Sequence, residues 1–177
     1  TGEVHGKTFV TEREEKVDVF PAPETLVCKA IGTPDKIIRT ITPTLICTKD
    51  GKNVYDVGEN ISGVVRVYTK GQRGEKIILT FAENLNDDLS LDYKSTGVDY
   101  TCRSGCSQLM RDTFICSGNE EIFEPKFVWH AFRYFDIEGS ADKLEVLVVH
   151  SDCDITSSFS SSSEGLNFLY DAFIRTQ

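Results

Sequence analysis

The run Ile61-Ser62-Gly63-Val64-Val65-Arg66-Val67-Tyr68-Thr69, followed across Gly71-Gln72-Arg73-Gly74 by Lys76-Ile77-Ile78-Leu79-Thr80-Phe81-Ala82, decides the fold class. Both runs are rich in β-branched and aromatic residues, the types that fit a pleated surface. The Gly-Gln-Arg-Gly stretch between them predicts a hairpin-type turn. Asn53 to Val57 reads as a further strand just before them. Downstream, strands are predicted over Arg111 to Cys116, Ile122 to Trp129, Phe132 to Ile137 and Leu144 to His150. Their starts lie roughly ten residues apart, with turns such as Ser117-Gly118-Asn119, which favours an antiparallel sandwich over alternating strands and helices. The fold class expected is therefore all-β, an antiparallel β-sandwich with one C-terminal helix.

The flanks differ in character. Residues 1–35 read as a leading arm or linker, polar around Thr11-Glu12-Arg13-Glu14-Glu15-Lys16 and broken by Pro21-Ala22-Pro23. Leu26 to Ile31 and Lys36 to Cys47 are extended runs that Pro34 and Pro43 confine to edges or bends. The sandwich is expected over 36–160, with Asn84 to Gln108 as a long loop inside it. In 161–177, Leu166, Leu169, Tyr170 and Phe173 recur at helical spacing, and Ser161 with Glu164 fits a capping box. That apolar stripe needs a cover, either the edge of the sandwich or a helical domain that follows. The chain starts at Thr1 without a methionine, so a processed or excised piece is expected.

Composition narrows the function classes. Of 177 residues, 40% are hydrophobic, which excludes a disordered chain. Asp and Glu number 28 against 19 Lys and Arg, a net charge of −9 that disfavours nucleic acid and anionic membranes as partners. No apolar run approaches the roughly 18 residues of a membrane span, and no signal-peptide pattern is present. The six cysteines (Cys28, Cys47, Cys102, Cys106, Cys116 and Cys153) read first as free and mostly buried thiols, with disulfides or a metal site as the alternatives. Only Cys102 and Cys106 are close in sequence, without the second pair that zinc would want. Reduced thiols would suit a cytoplasmic setting.

Nucleophilic catalysis needs a Ser or Cys beside an oriented His. The histidines are His5, His130 and His150. None sits in a nucleophile elbow, and no phosphate-loop or dinucleotide motif is present, so no cofactor is expected. His150-Ser151-Asp152-Cys153-Asp154 reads as polar groups at a strand end. Glu83, Asp87, Asp88 and Asp92 offer carboxylates of the kind glycoside hydrolysis pairs across a sugar ring, but a solvated acidic loop explains them more simply. Phe127-Val128-Trp129-His130-Ala131-Phe132-Arg133-Tyr134 carries more information. It suits core packing with a satisfied histidine, or a surface for sugar stacking or domain docking.

Five blocks of the sequence resemble bacterial α-L-rhamnosidases. Val54-Tyr55-Asp56-Val57-Gly58-Glu59-Asn60-Ile61-Ser62-Gly63-Val64-Val65-Arg66-Val67 resembles the family's YDFGQNISGWVRL, and Leu79-Thr80-Phe81-Ala82-Glu83-Asn84-Leu85 its LRFAEVL. Phe123-Glu124-Pro125-Lys126-Phe127 through Phe132-Arg133-Tyr134 is similar to EPRFTYHGFRY. Val148-Val149-His150-Ser151-Asp152 corresponds to VVHSD, and Phe159 through Leu169 to the stretch ending LLNxL. The chain departs from the usual pattern at Val57 and Glu59 (Phe and Gln), Ala131 (Gly) and Glu164 (Pro).

The resemblance implies a jelly-roll or concanavalin-like β-sandwich. It would lie between an upstream carbohydrate-binding-type sandwich and a downstream (α/α)6 catalytic barrel, with the last helix leading into that barrel. It further implies that the catalytic carboxylates lie in the barrel, within an acidic motif that this chain lacks. The segment alone should then be inactive, although the parent enzyme hydrolyses terminal α-L-rhamnose. Its expected partner is the downstream catalytic domain, with rhamnose-containing carbohydrate as the alternative. Asn60, Glu83, His130, Arg133 and Tyr134 are the candidates for domain docking, sugar contact or internal satisfaction.

Overall fold

The structure is a computed structural model. It describes residues 2–5, 8–11, 16, 18–22, 24–25, 28–29, 31–93 and 110–175. Among them are the strands β1 (Gly2–His5), β2 (Thr8–Thr11), β3 (Asp35–Ile41), β4 (Thr44–Lys49), β5 (Lys52–Thr69) and β6 (Lys76–Ala82). After these come β7 (Arg111–Ile115), β8 (Glu121–Phe123), β9 (His130–Glu138), β10 (Lys143–Ser151) and the helix α1 (Glu164–Arg175). The strands link in the order β2-β1-β7-β6-β9-β5-β10-β3, with β4 and β8 also on β5. All pairs are antiparallel except the short β1–β7 contact.

β5 organises the domain because it pairs with four other strands, β4, β8, β9 and β10. Its first part, Asn53–Asp56, lies between β4 and β9. Its later part, Gly63–Tyr68, pairs with β10, and Val67–Thr69 also meets β8. Between the two, the β5–β9 register slips from Asp56↔Tyr134 to Ile61↔Phe132. An irregularity of this kind bends a strand and raises its local twist. Gly58 takes the bend at φ +91°, a conformation glycine adopts without steric cost.

The main core fills the space between the layers. Val65 and Val67 of β5 and Val146 and Val148 of β10 face Ile77, Leu79 and Phe81 of β6 and Phe132, Phe135 and Ile137 of β9. The Phe81, Phe132 and Phe135 rings pack as tilted and edge-on neighbours at 4.7 to 6.2 Å. A smaller cluster of Val54, Ala82 and Leu91, with Tyr134 and Tyr93 against it, lies apart from the main core. The turn over 85–91, closed by the Leu85↔Leu91 bridge, supplies its cover.

Several sequence expectations need correction. The Gly71–Gly74 turn joins β5 to β6, but these strands are not hydrogen-bonded neighbours, because β9 lies between them. Alternation identifies a strand locally, whereas its neighbour is chosen by packing across the whole domain. The strand predicted over Ile122 to Trp129 is only Glu121–Phe123. Pro125 lacks the N–H a ladder needs, and Phe127, Val128 and Trp129 are exposed. Among the described residues of the Leu26 to Ile31 run, none is in a strand. Pro43 separates β3 from β4. Of the predicted loop, 94–108 lies outside the described residues.

The helix begins at Glu164, so Ser161 stands too far upstream for the predicted capping box. Instead the Asn167 side chain turns back, accepting from the Ser161 N–H at 2.8 Å and donating to its carbonyl at 2.9 Å. Cys28, Cys47, Cys116 and Cys153 are free thiols, and only Cys116 is buried. The expectation of mostly buried thiols does not hold for these four, since Cys28 and Cys153 stand in solvent-facing segments. Cys102 and Cys106 lie outside the described residues.

Candidate functional site around the β5 bend

Every polar side chain that the bend presents is engaged by another element. Asp56 receives Arg133 of β9 through two hydrogen bonds, Nε at 2.9 Å and Nη2 at 3.0 Å. It also accepts the Gly58 N–H at 2.7 Å, the local turn that an Asp two residues before a glycine favours. Glu59 accepts Arg39 Nη1 of β3 at 2.6 Å and approaches Arg175 Nη1 of α1 at 3.5 Å. Asn60 donates to Glu83 just beyond β6 at 3.2 Å. Arg133 sits in the register gap of β9 opposite the bend, which lets its side chain reach Asp56.

The charges of this hub reinforce one another. The Arg133 hydrogen bonds hold the Asp56 carboxyl below the usual carboxylate range, and Asp56 in turn raises Arg133. Arg39 does the same to Glu59, with a lesser contribution from Arg175. The Arg133 guanidinium also lies 5.0 Å from the Tyr134 ring centroid, within cation–π range. Of the five candidate residues, Asn60 and Glu83 form one pair, and Arg133 and Tyr134 another.

His130 is placed differently. It is buried at the start of β9, with Nε2 3.0 Å from Asp112 Oδ1 and its ring stacked on Phe81 at 4.5 Å. This is the arrangement of an internally satisfied histidine. Asp136, one strand position from Ile137, is also buried; Lys52 lies 3.6 Å away and the Tyr93 hydroxyl 3.4 Å. Burial pushes its carboxyl up despite these partners. Sequence reasoning missed Asp56, Asp112 and Asp136. Only Asp56 carried a local signal, its spacing to Gly58.

Beside the hub lies a groove of about 390 Å³. Glu59, Ser62 and Arg39 form part of its wall, and Trp129, His150 and Arg175 line it as well. The arrangement offers hydrogen-bond donors and acceptors beside an aromatic face. Glu83 is bonded to Asn60 rather than opposed to a second carboxylate across a gap. Among the described residues, no group of three His, Cys, Asp or Glu side chains is placed to hold a metal.

The sequence profile of the bacterial alpha-L-rhamnosidase concanavalin-like domain matches residues 46–157, from β4 through the segment after β10. The chain belongs to this family. The concanavalin-like domain is 31% identical to an alpha-L-rhamnosidase of Streptomyces avermitilis over 155 residues, 84% of this chain and 14% of that protein. An alpha-L-rhamnosidase of Formosa agariphila is 31% identical over 129 residues, 69% of this chain and 13% of its own. The chain thus spans about one-seventh of the relatives it matches.

Solved structures agree with this assignment. The alpha-L-rhamnosidase from Dictyoglumus thermophilum superposes with a TM-score of 0.69 at 29% identity, over 83% of this chain and 16% of that one. The Streptomyces avermitilis enzyme complexed with L-rhamnose gives 0.67 at 27%, over 83% and 14%. The domain therefore has a concanavalin-like β-sandwich fold, and its relatives are glycoside hydrolases.

Proposed function

We propose that this domain is a noncatalytic β-sandwich of a larger α-L-rhamnosidase, which hydrolyses terminal α-L-rhamnose, and that its task is to dock on the catalytic barrel. The observation that carries the reading is α1. Its apolar stripe includes Leu166 and Leu169, yet they are 50% and 62% exposed and the helix buries no residue. A helix with such a stripe gains stability when another element covers it. Interfaces between domains of one chain bury about 600–1,500 Å², enough to cover such a stripe. The engaged carboxylates of the bend support a structural role, because each already serves another strand or the helix.

The experiment is an assay with an aryl α-L-rhamnoside on the 177-residue chain and on an α-L-rhamnosidase that contains it. The chain alone is expected to give no turnover. In the larger enzyme, Leu166→Asp or Leu169→Asp should lower the melting temperature while KM stays within error. Turnover by the isolated chain, or unchanged melting in both variants, would count against the docking role. A second reading, sugar binding, is favoured by the half-exposed Trp129 on the groove. The free and exposed Cys28 and Cys153 thiols support a reducing compartment, the bacterial cytoplasm, for the parent enzyme.

A further inference from the structure

The groove beside the bend has a composition that the docking role does not use. Its volume of about 390 Å³ lies within the ~300–1,000 Å³ range of small-ligand pockets. The charged residues on its wall are two acids, Asp35 and Glu59, and two bases, Arg39 and Arg175. Their charges balance, so neither an anion nor a cation meets a field of one sign. Glu59 is already neutralised by Arg39 and Arg175, and each of these side chains is partly open to solvent. Such pairs keep unused lone pairs and N–H groups facing outward. Ser62 and His150 add further polar atoms.

Trp129 gives the groove its second property. It is 56% exposed and lies beside Ala131, a residue with no side-chain bulk to shield the ring. An indole left half in water offers a flat apolar face with substantial area to bury. A ligand that suits this groove is therefore neutral, presents an apolar face on one side, and carries several donor–acceptor groups at its edge. A pyranose ring has this chemistry: axial C–H groups on one face and hydroxyls around the rim.

We propose that the groove is a subsite for one neutral pyranose unit of a glycan, with Trp129 against its C–H face and Glu59 and Arg39 taking adjacent hydroxyls. This deepens the second, sugar-binding reading and rests on it, not on the parent enzyme's reaction. Only the choice of L-rhamnose as first probe rests on the α-L-rhamnosidase reading.

Trp129 is the sole tryptophan of the chain, so intrinsic fluorescence reports directly from this groove. The 177-residue chain is titrated with L-rhamnose, D-glucose and D-galactose up to about 50 mM, which covers millimolar affinities. The expected result is a saturable change with at least one sugar. The affinity should weaken about tenfold in Glu59→Gln, with circular dichroism unchanged. Saturation-transfer NMR with Trp129→Ala, whose surface position makes it tolerable to the fold, should lose the sugar signal.

Saturation by L-rhamnose supports the subsite and agrees with the enzymatic reading. Saturation by another pyranose alone also supports the subsite, and the aryl rhamnoside assay then decides the enzymatic reading separately. No saturable change with any of the three sugars overturns the proposal. So does a saturation-transfer signal that survives undiminished in both Glu59→Gln and Trp129→Ala.

Discussion

Arg133 and Asp56 form a two-point clamp, Nε to Oδ1 at 2.9 Å and Nη2 to Oδ2 at 3.0 Å, and Oδ1 also accepts the Gly58 N–H. One carboxylate thus fixes the bend of β5 from within and fastens it to β9. The neighbouring residues Glu59 and Asn60 extend the same principle to β3, α1 and the end of β6. The β5–β9 ladder is interrupted at the bend and resumes at Ile61, so these contacts hold β5 where its pairing with β9 lapses.

Arg133→Ala should destabilise the domain by about 1 kcal/mol, the upper part of the exposed-pair range, because the guanidinium side chain remains 40% exposed. Arg133→Lys should recover less than half of this, since an ammonium does not reproduce the planar fork. The loss should also depend on pH. Asp56 has a depressed folded-state pKa, so its contribution is present above the unfolded value of about 3.9 and fades as pH falls below it toward the folded value. Urea titrations at neutral pH and at about pH 3 should therefore show the two proteins converging in acid. A gap that stays constant would mean that Arg133 acts through packing rather than through Asp56.

Gly63 tests the layer junction by sterics instead of charge. A Cβ at this position would stand 2.2 Å from the Leu147 carbonyl oxygen, a backbone atom of β10 that cannot swing aside. Gly63→Ala must push β5 and β10 apart, and roughly 3 kcal/mol, the upper end for overpacking, is expected. Gly58→Ala meets open space but must hold φ +91°, so about 1–2 kcal/mol is expected from backbone strain alone. Equilibrium denaturation of both variants should rank Gly63 above Gly58. The reverse ranking would show that β10 yields more readily than the bend.

Much of this architecture was legible from residues 53–82 and 111–150, because period-two patterning reports a half-buried strand directly. What failed was neighbour choice. The Gly71–Gly74 turn has the composition of a hairpin, but the insertion of β9 depends on Phe132 and Phe135 packing against Phe81, residues some fifty positions apart. The site followed the same division. Arg133, Tyr134, Asn60 and Glu83 stand out by type and motif, while Asp56 has only its spacing to Gly58 to mark it. Its partner lies 77 residues away, a separation no local pattern encodes. For His130 the sequence leaves a satisfied core histidine and a docking or sugar-stacking surface both open; β9 begins at His130, which is buried, while Trp129 just before it is exposed.

The link between α1 and the sandwich should prove separable from global stability. Beyond the Asn167–Ser161 bonds at its start, the later turns of the helix are held by Arg175, which approaches Glu59 at 3.5 Å, and by the Tyr170 hydroxyl, which donates to the Ser157 carbonyl at 2.8 Å. Both are solvent-exposed, so each should contribute less than about 1 kcal/mol. In an Arg175→Ala, Tyr170→Phe double variant, amide hydrogen exchange over 166–175 should accelerate severalfold. Exchange in β5 and β9 should be unchanged, because local openings need not involve the core. Equal acceleration in the strands would show that the helix and the sandwich unfold as one unit.

Asp136 should give the opposite pH signature from Asp56. It is 5% exposed, its Oδ1 has no hydrogen-bond partner, and burial raises its folded-state pKa. Between the unfolded value of about 3.9 and that raised value, the native protein binds more protons than the unfolded chain, so this residue's contribution falls as pH rises. Asp136→Asn removes the titration while keeping the shape and a hydrogen-bonding amide. Lys52, which loses its charged partner, retains 27% side-chain exposure and can be solvated. The variant should therefore gain on the wild type as pH rises from about 4 to about 7, by an amount on the order of 1 kcal/mol per unit of pKa displacement. Stability curves from urea titration at several pH values measure the difference directly, and taking the difference cancels the contributions of Asp56 and Glu59. A flat difference would mean that Lys52 and Tyr93 compensate the buried charge in full, and that Asp136 is ionised throughout this range.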